Sequence, residues 1–280
     1  MKSHQDMQRL ILFLGPEKTG STSLYDFFSK NFSIRIPRKN KELYFWDEYY
    51  NKSINWYLNQ FEGQSHDSCL DFTPTYFGSE LAFKRIIKSH IQDLTFVITL
   101  RHPVKRAYSH YLHLLKYGHE PKSFKECLRS NFQMIASNSY VDNLQKWSTV
   151  SKKSIKVYVL ISEEIFSNQE FIQNFGINFL KLEALNETFF EFKKINSASI
   201  TKYHMLSKHL TNLSKNLRAL GIHAPTNIVK KLGMHNWLYS TNNIPTISDS
   251  ERNYASKLLD SEIKLYEKLR QESSEGLVVL

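Results

Sequence analysis

An anion-binding loop is predicted at residues 15–23, where one lysine lies among hydroxyl side chains. An apolar run at residues 10–14 precedes Gly15, and a helical pattern with an apolar face begins near Ser21. In a strand–loop–helix unit of this kind, backbone N–H groups and the positive end of the helix can hold an anion. The loop adds the ammonium group of Lys18 and several hydroxyl donors, so we expect it to hold a phosphate.

A second anion site is predicted at Arg101, which directly follows an apolar run at residues 94–100. A kinase usually has an aspartate near magnesium at the end of the corresponding strand. Arginine at this place removes a metal ligand, and its guanidinium can fork onto a phosphate. The first loop also departs from the kinase pattern G-x-x-x-x-G-K-[ST], because Ser21 follows Gly20 where a kinase has lysine. Together the two sites indicate a ligand with two separated phosphates and no bound metal.

Three apolar runs are predicted as strands, at residues 10–14, 94–100 and 155–161. The second has little alternation, as expected of a central parallel strand that is buried on both faces. Helical patterns separate the runs, and this order predicts an α/β fold with a central, mainly parallel sheet. The remaining patterns predict a short strand at residues 69–72 and helices at residues 81–91, 104–116, 124–147, 206–220 and 248–269.

The composition indicates a globular protein with one domain over residues 1–280, since 41% of the residues are hydrophobic and 14% are aromatic. No apolar run reaches the roughly 18 residues of a transmembrane helix, and the first residues do not resemble a signal peptide. A cytoplasmic location is the favoured interpretation, with a luminal fragment of a longer protein as the alternative. Cys69 and Cys127 have no metal-ligand spacing and predict free thiols.

The formal net charge of +10 suits an anionic partner. Nucleic acid, an anionic polysaccharide and an anionic cofactor all fit this charge. Basic residues are spread along the chain and often adjoin acids, as in Lys41-Glu42, so we do not expect a nucleic-acid-binding stripe. The charge alone does not choose between the other two.

Two segments resemble the signatures of the sulfotransferase family. PEKTGSTSLY at residues 16–25 resembles the phosphosulfate-binding loop P-K-T-G-T-T-x-L, and RHPVKRAYSHY at residues 101–111 resembles the second signature R-x-P-x-x-R-x-x-S. The resemblance implies a P-loop-like, three-layer α/β/α fold. It also implies 3′-phosphoadenosine 5′-phosphosulfate (PAPS) as the donor and co-substrate, transfer of its sulfuryl group to an acceptor oxygen or nitrogen, and no metal.

When the resemblance is carried over residue by residue, it assigns binding residues to both charged ends of the donor. Lys18 matches the lysine that neutralises the bridging oxygen as negative charge develops there, which is an electrostatic catalytic role. Arg101 and Ser109 match the ligands of the 3′-phosphate, and helical spacing lets both face one anion. The residues that match the loop around the 5′-phosphosulfate are Lys18, Thr19, Gly20, Ser21 and Thr22.

The general base is predicted at Glu42. Lys41-Glu42 and the aromatic residues that follow are similar to the K-E-x-x-F-F segment of the heparan-sulfate-type and bacterial branch, which implies that Glu42 takes the acceptor's proton. TPTYF at residues 73–77 resembles the [ST]-P-x-Y-F element of the same branch. Heparan-modifying members often carry a basic residue just before this element. Phe72 stands there instead, which weighs against a heavily sulfated polysaccharide acceptor.

Several alternatives stay open at this level. The acceptor is predicted to be a glycan, a glycolipid or a small metabolite. A third donor-binding element near the C-terminus has only weak candidates, namely Asn196, Ser197 and Lys202. The competing functions are a P-loop kinase that uses ATP and magnesium, and a non-catalytic relative that binds the nucleotide without turnover.

Overall fold

The computed structural model describes residues 9–63, 68–119, 123–130, 139–150, 155–189, 191–192, 199–219, 239–240 and 244–280. The chain divides into two compact units. The first unit comprises Met1–Pro103, Ala136–Ile195 and Ser261–Leu280, and the second comprises Val104–Ile135 and Asn196–Asp260. Among the described residues, no helix has both the length and the apolar character needed to cross a membrane.

The strands and their pairing define the topology of the fold. In chain order they are β1 (Arg9–Gly15), β2 (Phe32–Ser33), β3 (Ile36–Pro37), β4 (Phe61–Glu62), β5 (Ser68–Asp71), β6 (Asp93–Leu100), β7 (Lys156–Ile161), β8 (Glu183–Ala184), β9 (Ile200–Thr201), β10 (Tyr239–Ser240) and β11 (Leu277–Val279). A five-stranded sheet in the first unit has the order β11-β7-β6-β1-β5. Its first four strands in sequence are parallel, and β11 is antiparallel to β7. The predicted α/β fold with a mainly parallel sheet is confirmed, whereas the antiparallel strand β11 was not predicted.

The two faces of the sheet are covered by separate apolar clusters. Successive side chains of a strand point to opposite faces. Leu12 of β1 therefore packs in a cluster with Phe96 and Trp147, while its neighbour Phe13 packs in the other with Phe72. Because both faces are buried, β1 and β6 need apolar residues at nearly every position, and this explains their lack of alternation.

The α-helices that the structure describes are α1 (Ser21–Asn31), α2 (Ile54–Leu58), α3 (Glu80–Lys88), α4 (Pro103–Lys116), α5 (Phe124–Ser130), α6 (Tyr140–Ser148), α7 (Ser162–Ile165), α8 (Gln169–Asn174), α9 (His204–Ala219), α10 (Asp249–Leu258) and α11 (Asp260–Glu272). The single helix predicted at residues 248–269 is wrong, because the helical hydrogen bonding stops at Leu259 and a second helix begins. The single helix predicted at residues 124–147 is also wrong, because a new helix begins at Tyr140 after the non-helical N-cap residue Ser139, and residues 131–138 lie outside the described part.

The second unit is built from α4, α5, α9 and α10 with the antiparallel pair β9–β10. Helix α10 begins with a capping box, in which the Ser248 hydroxyl accepts from the Glu251 amide and the Glu251 carboxylate accepts from the Ser248 amide. Glu251 also accepts from the backbone N–H of Lys125 at 3.4 Å, so this cap ties α10 to α5.

Candidate active site

The predicted phosphate loop joins the end of β1 to the start of α1. Its backbone adopts left-handed conformations at Gly15, Lys18 and Gly20, with φ of 95°, 70° and 105°. A Cβ at Gly15 would lie 2.5 Å from Cβ of Pro74, so only glycine allows β1 to end so close to that segment. Left-handed residues in a tight loop turn backbone N–H groups toward one side, which is the geometry of an anion nest.

Helix α1 starts without a side-chain cap. Its N-cap residue is Gly20, and no side chain there bonds to an N–H group of the first turn. The positive end of the helix dipole therefore faces outward from Ser21 and Thr22, both of which are partly exposed. A Cβ at Gly20 would come within 2.6 Å of the Phe166 ring, which fixes glycine at this position. This uncapped start fits a phosphate or sulfate group.

Thr19 anchors the loop to the sheet. Its side chain is buried, and its hydroxyl lies 2.7 Å from the carbonyl oxygen of Pro16 and 2.6 Å from the hydroxyl of Thr99 on β6. The hydroxyl of Ser162, the first residue of α7, donates to the carbonyl oxygen of Thr19. The Thr19 hydroxyl, which the resemblance placed in the donor loop, thus holds the shape of that loop.

Arg101 lies beside this loop. Its guanidinium donates to the carbonyl oxygen of Lys18 at 3.3 Å, and its own carbonyl oxygen accepts from the Tyr140 hydroxyl at 2.6 Å. The next amide, that of His102, donates to Glu163 at 3.2 Å. The structure thus brings together the ends of two strands that lie far apart in the sequence, with the Arg101 guanidinium against the backbone of Lys18.

Lys41 joins the candidate base to the phosphate loop. Its ammonium group lies 3.0 Å from the hydroxyl of Ser21 and 2.9 Å from a carboxylate oxygen of Glu42. The other carboxylate oxygen of Glu42 accepts from the hydroxyl of Tyr44. About a quarter of the Glu42 side chain is exposed, so the carboxylate remains accessible. Lys41 therefore connects Glu42 to Ser21, the first residue of α1.

The segment that carries Glu42 is supported by the TPTYF element. The backbone N–H of Leu43 donates to the hydroxyl of Thr73 at 2.9 Å, and that of Phe45 donates to the hydroxyl of Tyr76 at 2.9 Å. At the end of this element, the carbonyl oxygen of Phe77 accepts from the indole N–H of Trp147 on α6 at 2.9 Å. The resemblance identified the element but not this supporting role.

The sequence analysis also did not identify several polar residues whose hydrogen bonds position the backbone of the candidate site. Asp71, at the end of β5, accepts from the hydroxyls of Thr73 and Tyr76. Tyr140 is buried, and its hydroxyl binds the backbone of Arg101. A carboxylate at the end of an apolar strand was the available signal for Asp71, because buried charges need partners.

The remaining predicted residues lie elsewhere in the chain. Ser109 is partly exposed on α4, in the second unit, and its place in the 3′-phosphate site stays a prediction. Lys202 is exposed next to β9 in the same unit, while Asn196 and Ser197 lie outside the described residues. Within the described ranges, no group of three His, Cys, Asp or Glu side chains is placed to hold a metal ion.

These contacts define what the site can do chemically. Lys41 reaches Ser21 at the uncapped start of α1, and the Arg101 guanidinium lies against the backbone of the loop, so both supply positive charge that suits an anionic ligand. Glu42 supplies an accessible carboxylate next to that charge. A carboxylate held beside an anion site can take a proton from a nucleophile that attacks the bound anion.

Known proteins share both the sequence pattern and the fold. A family model described as "Sulfotransferase domain" matches residues 8–223. The chain is 31% identical over 156 residues to the bifunctional heparan sulfate N-deacetylase/N-sulfotransferase 1 of Caenorhabditis elegans, covering 49% of this chain and 18% of that protein. It is 26% identical over 212 residues to the Drosophila melanogaster enzyme of the same name, covering 62% of this chain and 20% of that protein.

A solved structure supports the fold. The crystal structure of a sulfotransferase from Alicyclobacillus acidocaldarius matches with a TM-score of 0.54 and 22% identity, over 67% of this chain and 85% of the other. The chain spans only about a fifth of the length of the two curated relatives. The family match, by contrast, covers well over half of the chain and includes both signatures. The chain belongs to the sulfotransferase domain family.

Proposed function

We propose that this protein transfers the sulfuryl group of PAPS to a hydroxyl or amino group of a carbohydrate acceptor. The observation that carries the proposal is the bridge from Ser21 through Lys41 to Glu42, with distances of 3.0 and 2.9 Å. It supports the proposal because a carboxylate one ion pair away from a helix end that can hold an anion could assist an in-line attack on a bound sulfuryl group.

The donor would be held at its two charged ends. The 5′-phosphosulfate would lie at the uncapped start of α1, where Gly20, Ser21 and Thr22 follow Lys18. Arg101 would bind the 3′-phosphate through its guanidinium. The helix start fits such a group because its N-cap residue adds no side-chain hydrogen bond, and the left-handed backbone before it brings the loop to that helix end.

In this mechanism each residue has one chemical task. Glu42 takes the proton of the acceptor hydroxyl or amine as the nucleophile attacks sulfur. Lys18 stabilises the negative charge that develops on the bridging oxygen as the bond to sulfur breaks. Lys41 keeps the carboxylate of Glu42 directed toward the loop, through its ion pair at 2.9 Å.

The acceptor class is inferred from relatives and from one core residue. The curated relatives are named for heparan sulfate, and this supports a sugar acceptor here. Phe72 is fully buried and stacks on Phe13 with ring centroids 4.2 Å apart, so that position offers no cation to a sulfated chain. We therefore favour a glycan with few sulfate groups, with a glycolipid or small metabolite as the other acceptors to test.

The test is transfer of labelled sulfate from PAPS to a panel of acceptors that contains an N-deacetylated unsulfated glycan, a glycolipid and a small phenol. Lys18→Ala and Arg101→Ala should abolish transfer. Lys30→Ala is the matched control, because Lys30 lies on α1 but pairs with Asp26 at 2.7 Å. Normal transfer by both site variants would contradict the site assignment.

Calorimetry separates the competing functions. We expect adenosine 3′,5′-bisphosphate to bind without magnesium. Binding of ATP with magnesium in its place would support a P-loop kinase. Binding of the bisphosphate with no transfer to any acceptor, unchanged by Glu42→Ala, would support a non-catalytic relative.

A further inference from the structure

Asp71 is a buried carboxylate on which three hydroxyl groups converge. It is the last residue of β5, and its side chain is fully buried. One carboxylate oxygen lies 2.5 Å from the Thr73 hydroxyl, and the other lies 2.9 Å from the Tyr57 hydroxyl and 3.3 Å from the Tyr76 hydroxyl. A buried carboxylate is costly unless it is well hydrogen-bonded, so this arrangement needs an explanation beyond packing.

Two of these hydroxyls also bind the segment that follows Glu42. The Thr73 oxygen accepts from the N–H of Leu43 at 2.9 Å. The Tyr76 oxygen accepts from the N–H of Phe45 at 2.9 Å and from that of Trp46 at 3.4 Å. A hydroxyl has one hydrogen and two lone pairs. Because Asp71 takes the hydrogens, the lone pairs are directed toward the backbone of the Glu42 segment.

We propose that Asp71 is a positioning residue for the transfer reaction, which it serves by orienting the hydroxyls of Thr73 and Tyr76 so that they hold the backbone beside Glu42. The inference rests on the proposed function only where it concerns Glu42 as the base. Asp71 itself touches neither substrate, because its side chain is enclosed. The orientation of the two hydroxyls is the whole of its role.

The charged surroundings of Asp71 agree with this role. Burial raises the pKa of Asp71 to about 7, while hydrogen bonds from Thr73, Tyr57 and Tyr76 lower it and the nearby Asp47 carboxylate raises it. The same burial raises the pKa values of both tyrosines well above their usual range, so their hydroxyls stay protonated and remain donors. Above this pKa the ionised carboxylate is the one member of this group that accepts without donating.

The first experiment measures backbone amide hydrogen exchange in Asp71→Asn. An amide side chain has one accepting oxygen and two donor hydrogens, so it cannot accept three hydroxyls. We expect exchange in peptides spanning residues 43–46 to rise about tenfold or more, while peptides from β1 and β6 stay unchanged. Thr95→Val on β6 is the control, since its buried hydroxyl makes no hydrogen bond among the described residues.

Two further variants keep the test decisive if Asp71→Asn folds poorly. Thr73→Val and Tyr76→Phe each remove one hydroxyl between Asp71 and the Glu42 segment, and each should raise exchange at residues 43–46 alone. In double variants with Asp71→Asn, neither substitution should add its full increase in amide exchange, because the three side chains act as one network. Unchanged exchange at residues 43–46, or an equal rise across the whole sheet, would overturn the proposal.

Kinetics then separates this inference from the proposed function. In Asp71→Asn we expect kcat to fall about 10- to 100-fold, as small misplacements of a catalytic group do. The dissociation constant of adenosine 3′,5′-bisphosphate should stay within about twofold, because the phosphate loop is anchored through Thr19 and Thr99. An unchanged kcat in an active enzyme would overturn the positioning role. If Asp71→Asn raised amide exchange only at residues 43–46 but the wild type transferred no sulfuryl group, the proposed function would be overturned. The support of the backbone by Asp71 would then still stand.

Discussion

The phosphate loop and the Glu42 segment are held in different ways, although they meet at one site. The loop lies between β1 and α1, and its anchor is the pair of hydroxyls of Thr19 and Thr99 at 2.6 Å. Residues 38–44 have neither helix nor strand, and the backbone beside Glu42 is held by hydroxyls that depend on Asp71. The proposed donor site is thus built into regular structure, while the proposed base depends on a buried polar network.

This difference separates the two halves of the reaction. A regular strand–loop–helix unit keeps its geometry through backbone hydrogen bonding and packing. A segment without regular structure keeps its geometry only while each of its side-chain partners is present and correctly oriented. Changes near the loop should therefore alter donor affinity, and changes near Asp71 should alter turnover.

The largest effect is expected for Glu42→Gln, which keeps the shape of the side chain and removes the base. General base catalysis contributes roughly 10²- to 10⁴-fold, so kcat should fall by about that factor. Binding of adenosine 3′,5′-bisphosphate should be unchanged, because the loop keeps its anchors. Steady-state assays with saturating donor and acceptor give kcat, and Glu48→Gln on the exposed surface nearby is the control. A fall of less than about threefold would show that another group takes the proton.

The pH dependence of stability should reveal Asp71. Its pKa rises from an ordinary 3.8 to about 7 in the folded protein, because it is buried. Between these pKa values Asp71 keeps its proton in the folded protein but releases it in the unfolded chain. The stability that this proton binding contributes is therefore complete below about pH 4 and is lost as the pH rises to about 7. The loss is at most about 4 kcal/mol, at about 1.4 kcal/mol per pKa unit.

Chemical denaturation at pH 5 and pH 8 checks this expectation. The free energy of unfolding should fall with rising pH in the wild type more than in Asp71→Asn. Tyr57 and Tyr76 stay neutral across this range, so they do not contribute. Equal pH dependence in the two proteins would mean that Asp71 is ionised, and stabilised as such, throughout.

The sequence predicted the loop better than the support of the base, and the reason is physical. The features of the loop lie within a few consecutive residues, and strand, left-handed turn and uncapped helix each have a local signature. The support of Glu42 comes from Asp71, Thr73 and Tyr76, some thirty residues away in the sequence. Only the folded backbone shows that these hydroxyls face Leu43 and Phe45.

The sheet shows the same division between local and distant information. Uniformly apolar runs predicted β1, β6 and β7, since strands buried on both faces need apolar residues throughout. Strand β11 is short and partly exposed, and its position depends on pairing with β7. No local sequence pattern therefore predicted it. The break at Leu259 between α10 and α11 was missed because helical patterns continue on both sides.

A smaller effect is expected for Thr19→Val, which tests the anchor of the loop. Valine has the same shape but leaves the Pro16 carbonyl and the Thr99 hydroxyl without a partner. This should lower the free energy of unfolding by about 1–3 kcal/mol and weaken binding of adenosine 3′,5′-bisphosphate. Calorimetry and denaturation measure the two changes, with Thr95→Val on β6 as the control. Hydrogen exchange at residues 43–46 should not respond, and a response there would show that the two regions are not independent.

The smallest effect is expected for Lys41→Met, which removes the bridge between the two regions and keeps the length of the side chain. Lys41 pairs with Glu42 at 2.9 Å near the surface, where an ion pair contributes at most about 1 kcal/mol to stability. The free energy of unfolding should therefore change by less than about 1 kcal/mol, as in the control Lys84→Met, which removes the pair with Glu80 at 3.2 Å. Turnover should fall roughly fivefold in Lys41→Met alone, because one charge-assisted hydrogen bond no longer directs Glu42 toward Ser21. Equal turnover in the two variants would mean that the Asp71 network by itself fixes the base relative to the loop.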